Sequence, residues 1–194
     1  PAWSSIQTLQ DLVTRARAEP NALNYGSGGN GSPAHLVAES FCQASNVKMT
    51  HVPFKGPAEA VSALMGNQIN AMFATVPTAA ALVRSGKLRA IAVTSPQRLS
   101  ALPNVPTLAE AGVSGVELKE WEGLVAPAGT PKAIIDKWNQ ELFQVLASSE
   151  LRAKLADLGM SVVPPHPSSD FADLIRKELD HWGKFVRSTG LRPS

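Results

Sequence analysis

Apolar and polar positions alternate along the chain in two rhythms. Leu9, Leu12, Val13 and Ala16 recur at helical spacing, opened by Thr8 with Asp11 as a capping-box-like start and ended by Pro20. A short strand is predicted at 22–25, followed by the glycine-rich run 26–31. Ser32 and Pro33 then read as N-cap and first residue of a second helix, with Leu36, Val37, Phe41 and Ala44 as its buried stripe. The pattern continues with a strand at 48–54 and a helix from Pro57, with Ala60, Val61, Leu64 and Met65 inward and Gly66 at its end. A strand at 69–73, a helix at 77–85 and a nearly all-apolar strand at 88–93 complete it. Strand and helix alternate with short Gly/Pro-punctuated connections, which predicts an α/β fold with a mostly parallel sheet flanked by helices.

From Ser95 the rhythm changes. Pro96, Pro103 and Pro106 lie in an irregular stretch with room for one helical turn at 108–111. An extended strand is predicted at 116–126, then helices at 131–147, 151–158 and 170–188, with a short strand at 161–163. The shift near residue 120 predicts two parts: an α/β ligand-binding lobe over 1–118 and a helix-rich part over 119–194.

Composition narrows the function classes. The 194 residues carry 18 Lys plus Arg against 16 Asp plus Glu, a net charge of +2, with no dense basic block, so no nucleic-acid partner is expected. Hydrophobic content of 44% fits a globular chain with a real core. A single cysteine, Cys42, excludes an intramolecular disulfide framework and a cysteine zinc cluster. No apolar run approaches the roughly 20 residues that cross a bilayer. The chain opens Pro-Ala-Trp without a leader, which reads as a processed protein or a piece of a longer one.

Candidate chemistry concentrates where predicted strands end. Gly26, Gly28 and Gly31 satisfy G-x-G-x-x-G, the outline of a dinucleotide fingerprint. The ribose-binding acid that should follow about 20 residues on is missing: that region reads HVPFK, 51–55. A second use of the same loop is anion binding. Backbone N–H groups converge at the start of a helix, with Ser27, Gly28, Gly29, Asn30, Gly31 and Ser32 around them and His35 in the first turn. A tight turn that needs glycine only for its backbone angles is the structural alternative. Lys55-Gly56 before Pro57, and Phe73, Ala74 and Thr75 before Pro77, repeat the arrangement at the next two strand ends. These residues form the candidate ligand site. Catalysis is not expected: the histidines lack metal-ligand spacing, no G-x-S-x-G elbow exists, and Cys42 beside Phe41 reads as a buried small hydrophobe. No cofactor or metal is expected.

Several motifs in order carry a resemblance across essentially the whole chain. They are LNYGSGGNGS (23–32) with His35-Leu36, HVPFKG (51–56), GKLRAIAVTS (86–95), LPNVPT (102–107), GLVAPAGTP (123–131) and Trp182-Gly183-Lys184. In these the chain resembles the Bug/TctC family, the periplasmic solute-binding receptors of tripartite tricarboxylate transporters. The resemblance implies a periplasmic-binding-protein-like, Venus-flytrap architecture closing on a small carboxylate without turnover, with membrane transporter subunits as partners. It implies that 1–118 is lobe two and 119–194 the C-terminal return into lobe one, whose first part, about a hundred residues, precedes the position of Pro1. Family members often carry an acid where this chain has Ala74, which implies an organic acid without an ammonium group. The apolar stripes with Trp138, Leu142, Leu174 and Trp182 would lack their sheet and need another partner, a second copy of the chain being one. The effector-sensing module of a regulator, which uses a similar two-lobed fold, and a nucleotide-binding enzyme are the alternative readings.

Overall fold

The computed structural model describes residues 1–116, 118 and 120–191. They fall into two compact units, residues 1–118 and Glu120–Leu191. Lys119, where the predicted boundary lies, and 192–194 are outside the described residues, as is Glu117 within the predicted 116–126 strand.

The first unit opens with α1 (Leu9–Ala18). The Asp11 N–H donates to Thr8 Oγ1 at 3.1 Å and the Thr8 N–H to Asp11 Oδ2 at 2.9 Å, a reciprocal capping box. Three parallel strands follow, β1 (Asn24–Ser27), β2 (Thr50–Pro53) and β3 (Ala71–Met72), in the order β2-β1-β3. Tyr25 sits opposite His51 on one side and Ala71 on the other. The crossovers are α2 (Pro33–Ser45) and α3 (Pro57–Met65), and α4 (Val76–Arg84) follows β3.

Strand alternation divides the apolar residues between the two sheet faces. On one face Tyr25 joins Leu12, Val13, Ala16 and Phe41 from α1 and α2 in the larger core, with Ala71 and Phe73 against it. On the other, Val52, Phe54 and Met72 pack against Ala63, Leu64, Ile69 and Leu88. Gly26 faces that second side so closely that an added Cβ would collide with Ile69.

The α/β layout is as predicted; the detail differs in instructive ways. β1 runs two residues past the predicted strand, because ladder pairing continues through Gly26 and Ser27, which no apolar side chain marks. β3 is shorter than predicted: the Asn24 N–H donates to the Asn70 side chain at 2.8 Å, so a side chain replaces the backbone acceptor there. The predicted strand at 88–93 does not form. Leu88 and Val93 are buried and Ala90, Ile91 and Ala92 half-buried against the cores, but Val93 makes its backbone pairing with 106–108, donating to Pro106 O at 2.8 Å and accepting from Leu108 N at 2.9 Å. Burial, not pairing, explains that run. Neither the 161–163 segment nor the described part of 116–126 forms a strand. On α2 the buried face is His35, Val37, Ala38, Phe41, Cys42 and Ser45, leaving Ala44 exposed, because the helix is rolled to bring His35 over the sheet. On α3, Ala63 takes the inward place expected of Met65, which is exposed.

The second unit contains α5 (Lys132–Leu146), α6 (Ser149–Asp157) and α7 (Ser168–Thr189). Trp121 meets Phe171 edge to face at 5.1 Å, and the Asn139 side chain donates to His166 O at 3.0 Å. Among the described residues this unit buries none of its helical side chains: Trp138 is 64% exposed and Leu179 69%.

Phe41 is fully buried in the larger core and its ring lies 5.7 Å from that of Phe73. Phe41→Ala is expected to lower unfolding stability by about 3–4 kcal/mol in denaturant titration, with the transition of the first unit moving.

Candidate functional site

Strand order dictates where a ligand can sit. With β1 central, the chain leaves β1 toward β2 on one side and returns to β3 on the other, which makes a topological switch point between β1 and β3. In open parallel sheets, ligands lie beyond the carboxyl ends of the strands at such a point. Here that place is the 27–32 loop, with the 54–57 turn on one flank and the 73–75 segment on the other.

The loop is bent by its glycines. Gly29 (φ 129°) and Gly31 (φ 73°) occupy the positive-φ region, where a side chain is strained. An added Cβ on Gly28 would touch Pro57, and one on Gly29 the Phe54 carbonyl, so the 27–32 loop and the 54–57 turn are packed together. Ser32 caps α2, its Oγ accepting from the His35 N–H at 3.4 Å, and Pro33 occupies the first helical position. Among the described residues the main-chain N–H groups of Gly28, Asn30 and Ala34 have no protein acceptor. They are donors for an anion, with the α2 dipole favouring negative charge there. Asn30 is exposed beside them.

Beneath the loop the expected Ser27 and His35 join a cluster whose other members, Tyr25, Glu39 and His51, sequence reasoning missed. His51 from β2 stacks on His35 from α2, ring centroids 3.8 Å apart at 12°, and on Tyr25 from β1 at 4.9 Å. Ser27 is fully buried. Its Oγ accepts from the Gly29 N–H at 3.1 Å and lies 3.0 Å from Gly29 O and 2.7 Å from His51 Nε2. The Gly31 N–H donates to His35 Nδ1 at 3.0 Å, which requires that nitrogen to be bare. The Tyr25 hydroxyl donates to Glu39, whose carboxylate also lies 3.9 Å from His35 Nε2. The signal for His51 was its register opposite Tyr25, visible only once the parallel pairing is known. The Ser27–His51 contact resembles a nucleophile and base, but the hydroxyl is buried and already held by Gly29.

The other expected site residues divide. Lys55 is exposed at the β2 end, and its N–H donates to Glu59 Oε2 at 3.1 Å, which sets a negative charge of the chain in the first turn of α3, a helix with no side-chain cap at Gly56. Thr75 caps α4 by position, its Oγ1 2.9 Å from Thr78 Oγ1, and Ala74 is exposed. Phe73 turns its ring into the core against Phe41. Cys42 is buried, its thiol pushed up to about 12 chiefly by desolvation, consistent with a packing residue. No group of three or more metal-ligating side chains exists among the described residues, and no helix is long and apolar enough to cross a membrane. A hollow over α3 is lined by Phe54, Glu59, Ser62 and Gln68 among others, and by none of Gly28, Asn30 and Ala34.

Burial lowers the basicity of both imidazoles, to about 4 for His51, where the His35 ring adds to desolvation. Both are therefore neutral at pH 7. A histidine held neutral binds fewer protons folded than unfolded, so its contribution is fully present above about pH 6.5 and is lost as pH falls toward 4. Stability is expected to drop by on the order of 2 kcal/mol across that window. In His51→Gln, denaturant midpoints measured against pH should flatten there.

Comparison with known proteins places this geometry in a family. The model of the tripartite tricarboxylate transporter family receptor, TctC, matches residues 1–191. A Pseudomonas sp. (strain P51) protein from the tcbD-tcbE intergenic region is 33% identical over 187 residues, covering 96% of this chain and 55% of that protein. An R. palustris protein solved with adipate superposes with a TM-score of 0.90 at 31% identity, covering 99% of this chain and 64% of the other. MatC from Rhodopseudomonas palustris, solved with bound malate, gives 0.87 at 30% identity, covering 95% and 64%. The chain thus spans little more than half the length of that curated relative and under two thirds of those solved chains. The fold is of the periplasmic-binding-protein type, and the chain belongs to the TctC family of tripartite tricarboxylate transporter receptors.

Proposed function

We propose that this chain is the larger part of an extracytoplasmic solute receptor that binds a small organic carboxylate without changing it and presents it to the membrane subunits of a tripartite tricarboxylate transporter. The observation that carries the reading is the β1/β3 switch point, where the free N–H groups of Gly28, Asn30 and Ala34 meet the start of α2. Each hydrogen bond to a carboxylate there contributes on the order of 1.5–3 kcal/mol. Ser27 acts through the backbone of Gly29, Ser32 sets the helix start, and Lys55 and Thr75 border the ligand from the flanking strand ends. Adipate and malate in two structural neighbours support a carboxylate lacking an ammonium group. The exposed Ala74, which offers no acid to meet an ammonium, agrees with that.

In this reading residues 1–118 are the second lobe, residues 119–194 return into the first, and the setting is the periplasm. The uncovered stripes carrying Trp138 and Leu179 belong to a lobe whose sheet is supplied by the other third of the receptor. Alone, this chain is then expected to self-associate through them, and light scattering should show a mass that falls toward the monomer in Trp138→Glu/Leu179→Glu.

A thermal-shift and calorimetric panel of mono-, di- and tricarboxylates, run on this chain and on a form of the relatives' full length, tests the function. A ligand at 100 times its Kd should add about 2.7 kcal/mol of stability. Response of the long form alone means that the site needs both lobes; silence in both overturns carboxylate binding. Asn30→Asp, which sets a negative charge beside the free N–H groups, should weaken binding at least tenfold. Tighter binding of aspartate or glutamate than of succinate would remove the claim about the ammonium.

A further inference from the structure

We propose that His35 and His51 are positioning residues for the 27–32 loop: stacked beneath it, they hold its backbone in the ligand-ready shape only while both rings are uncharged. They act through Gly31 and Ser27 respectively and need not touch a ligand. The choice of ligand rests on the function proposed above; the device itself rests on the loop geometry.

Each ring controls a different end of the loop. His35 Nδ1 accepts the Gly31 N–H at 3.0 Å, which ties the positive-φ glycine to the first turn of α2. His51 Nε2 lies 2.7 Å from Ser27 Oγ, and that oxygen in turn receives the Gly29 N–H. Stacking at 3.8 Å couples the two, since the ring of one forms the packing surface of the other. At Gly31 donor and acceptor match only while His35 Nδ1 is bare. At Ser27, whose hydroxyl donates to Gly29 O, His51 Nε2 is the donor, and a second proton on that ring acts through its charge against His35. A proton on His35 Nδ1 would set two N–H donors face to face at Gly31, and a charge on either ring would lie against the other.

The surroundings set which way this balance leans. From β1 comes Tyr25, its hydroxyl already donated to Glu39; from β2, His51 itself; from α2, Glu39 at 3.9 Å from His35 Nε2, with the buried Cys42 one turn further on. Arg17 of α1 reaches only the far end of α2, at Ser45 O. Glu39 favours a charge on His35, while desolvation opposes it and prevails; His51 is held below its ordinary value by desolvation and, less, by the His35 ring. Such a stack opens on acidification rather than at neutral pH.

Amide exchange of the chain itself tests this, read by NMR as protection factors for Gly29 and Gly31 between pH 7.5 and 4.5. In the unaltered chain both protections should fall together, at the midpoint at which carbon-labelled imidazoles titrate. His35→Leu should cost Gly31 at least tenfold in protection at pH 7.5 while leaving the amides of the middle of α2 unchanged. His35→Asn, whose Oδ1 can take the place of Nδ1, should restore protection to within about threefold. The His35→Asn/His51→Gln double variant, which has no ring to titrate, should show a flat pH profile. Should His35→Leu fail to fold, that double variant still decides, because a pH dependence persisting in it overturns the proposal. Unchanged Gly31 protection in a folded His35→Leu chain overturns it as well. A succinate titration at pH 7.5 on the full-length form keeps the two readings apart. Loop behaviour as expected without succinate binding sinks the carboxylate assignment alone, and succinate binding with a loop indifferent to His35 sinks the positioning role alone.

Discussion

Parallel pairing of β1 with β2 on one side and β3 on the other is the constraint from which the rest of the first unit follows. It aligns three strand ends at one edge and makes each connection a helix that begins beside the next. The pairing demands glycine at position 26, where Ile69 and Phe54 crowd the backbone, and delivers Ser27 to the edge fully buried. The 27–32 loop therefore starts from a rigid point. An anion cradle works only if its N–H groups are pre-aligned, since ordering a flexible loop on binding would cancel much of what the hydrogen bonds contribute.

Two solutions to burying polar groups appear side by side at that edge. The start of α3 already carries a carboxylate of the chain, Glu59, which accepts from the Lys55 amide just before the helix. The start of α2 is satisfied only in part, by Ser32 and by His35 beneath, so donors remain that face outward. That difference distinguishes one helix start from its neighbour more sharply than the lysine does. Below the loop, Tyr25, Glu39, His35, His51 and Ser27 form a polar stack on the larger core's side of the sheet. Polar groups buried in this way are tolerated only when each finds a partner, and here each does.

The second unit is the contrary case. Its helices are regular and stitched by surface pairs such as Lys154–Glu150 at 2.7 Å and Lys184–Asp180 at 2.6 Å, each of small energetic weight. Its apolar residues repeat at helical spacing, yet none is buried, because helices of this kind draw their stability from a face packed against something larger. Periodicity records which face a helix was shaped to bury, not whether the partner is at hand.

Local rules were readable without coordinates. Thr8 and Asp11, Ser32 and Pro33, and the glycines of 26–31 each announce a backbone geometry through their own chemistry, so the helix starts, the glycine loop and the α/β alternation were legible. The 88–93 run was misread because burial on both sides leaves the same apolar signature whether or not a neighbour pairs with it. The roll of α2, the internal use of Glu59 and the inward ring of Phe73 were not legible, since each depends on what lies across the sheet. The histidine stack is the clearest instance: His35 and His51 are sixteen positions apart, and no short-range pattern joins them. Sequence alone determined the elements, their order and the glycine-built loop, because those follow from interactions among near neighbours in the chain. Tertiary structure alone decided what lies beneath that loop, because only the register of β1 against β2 brings Tyr25, His51 and His35 into one column.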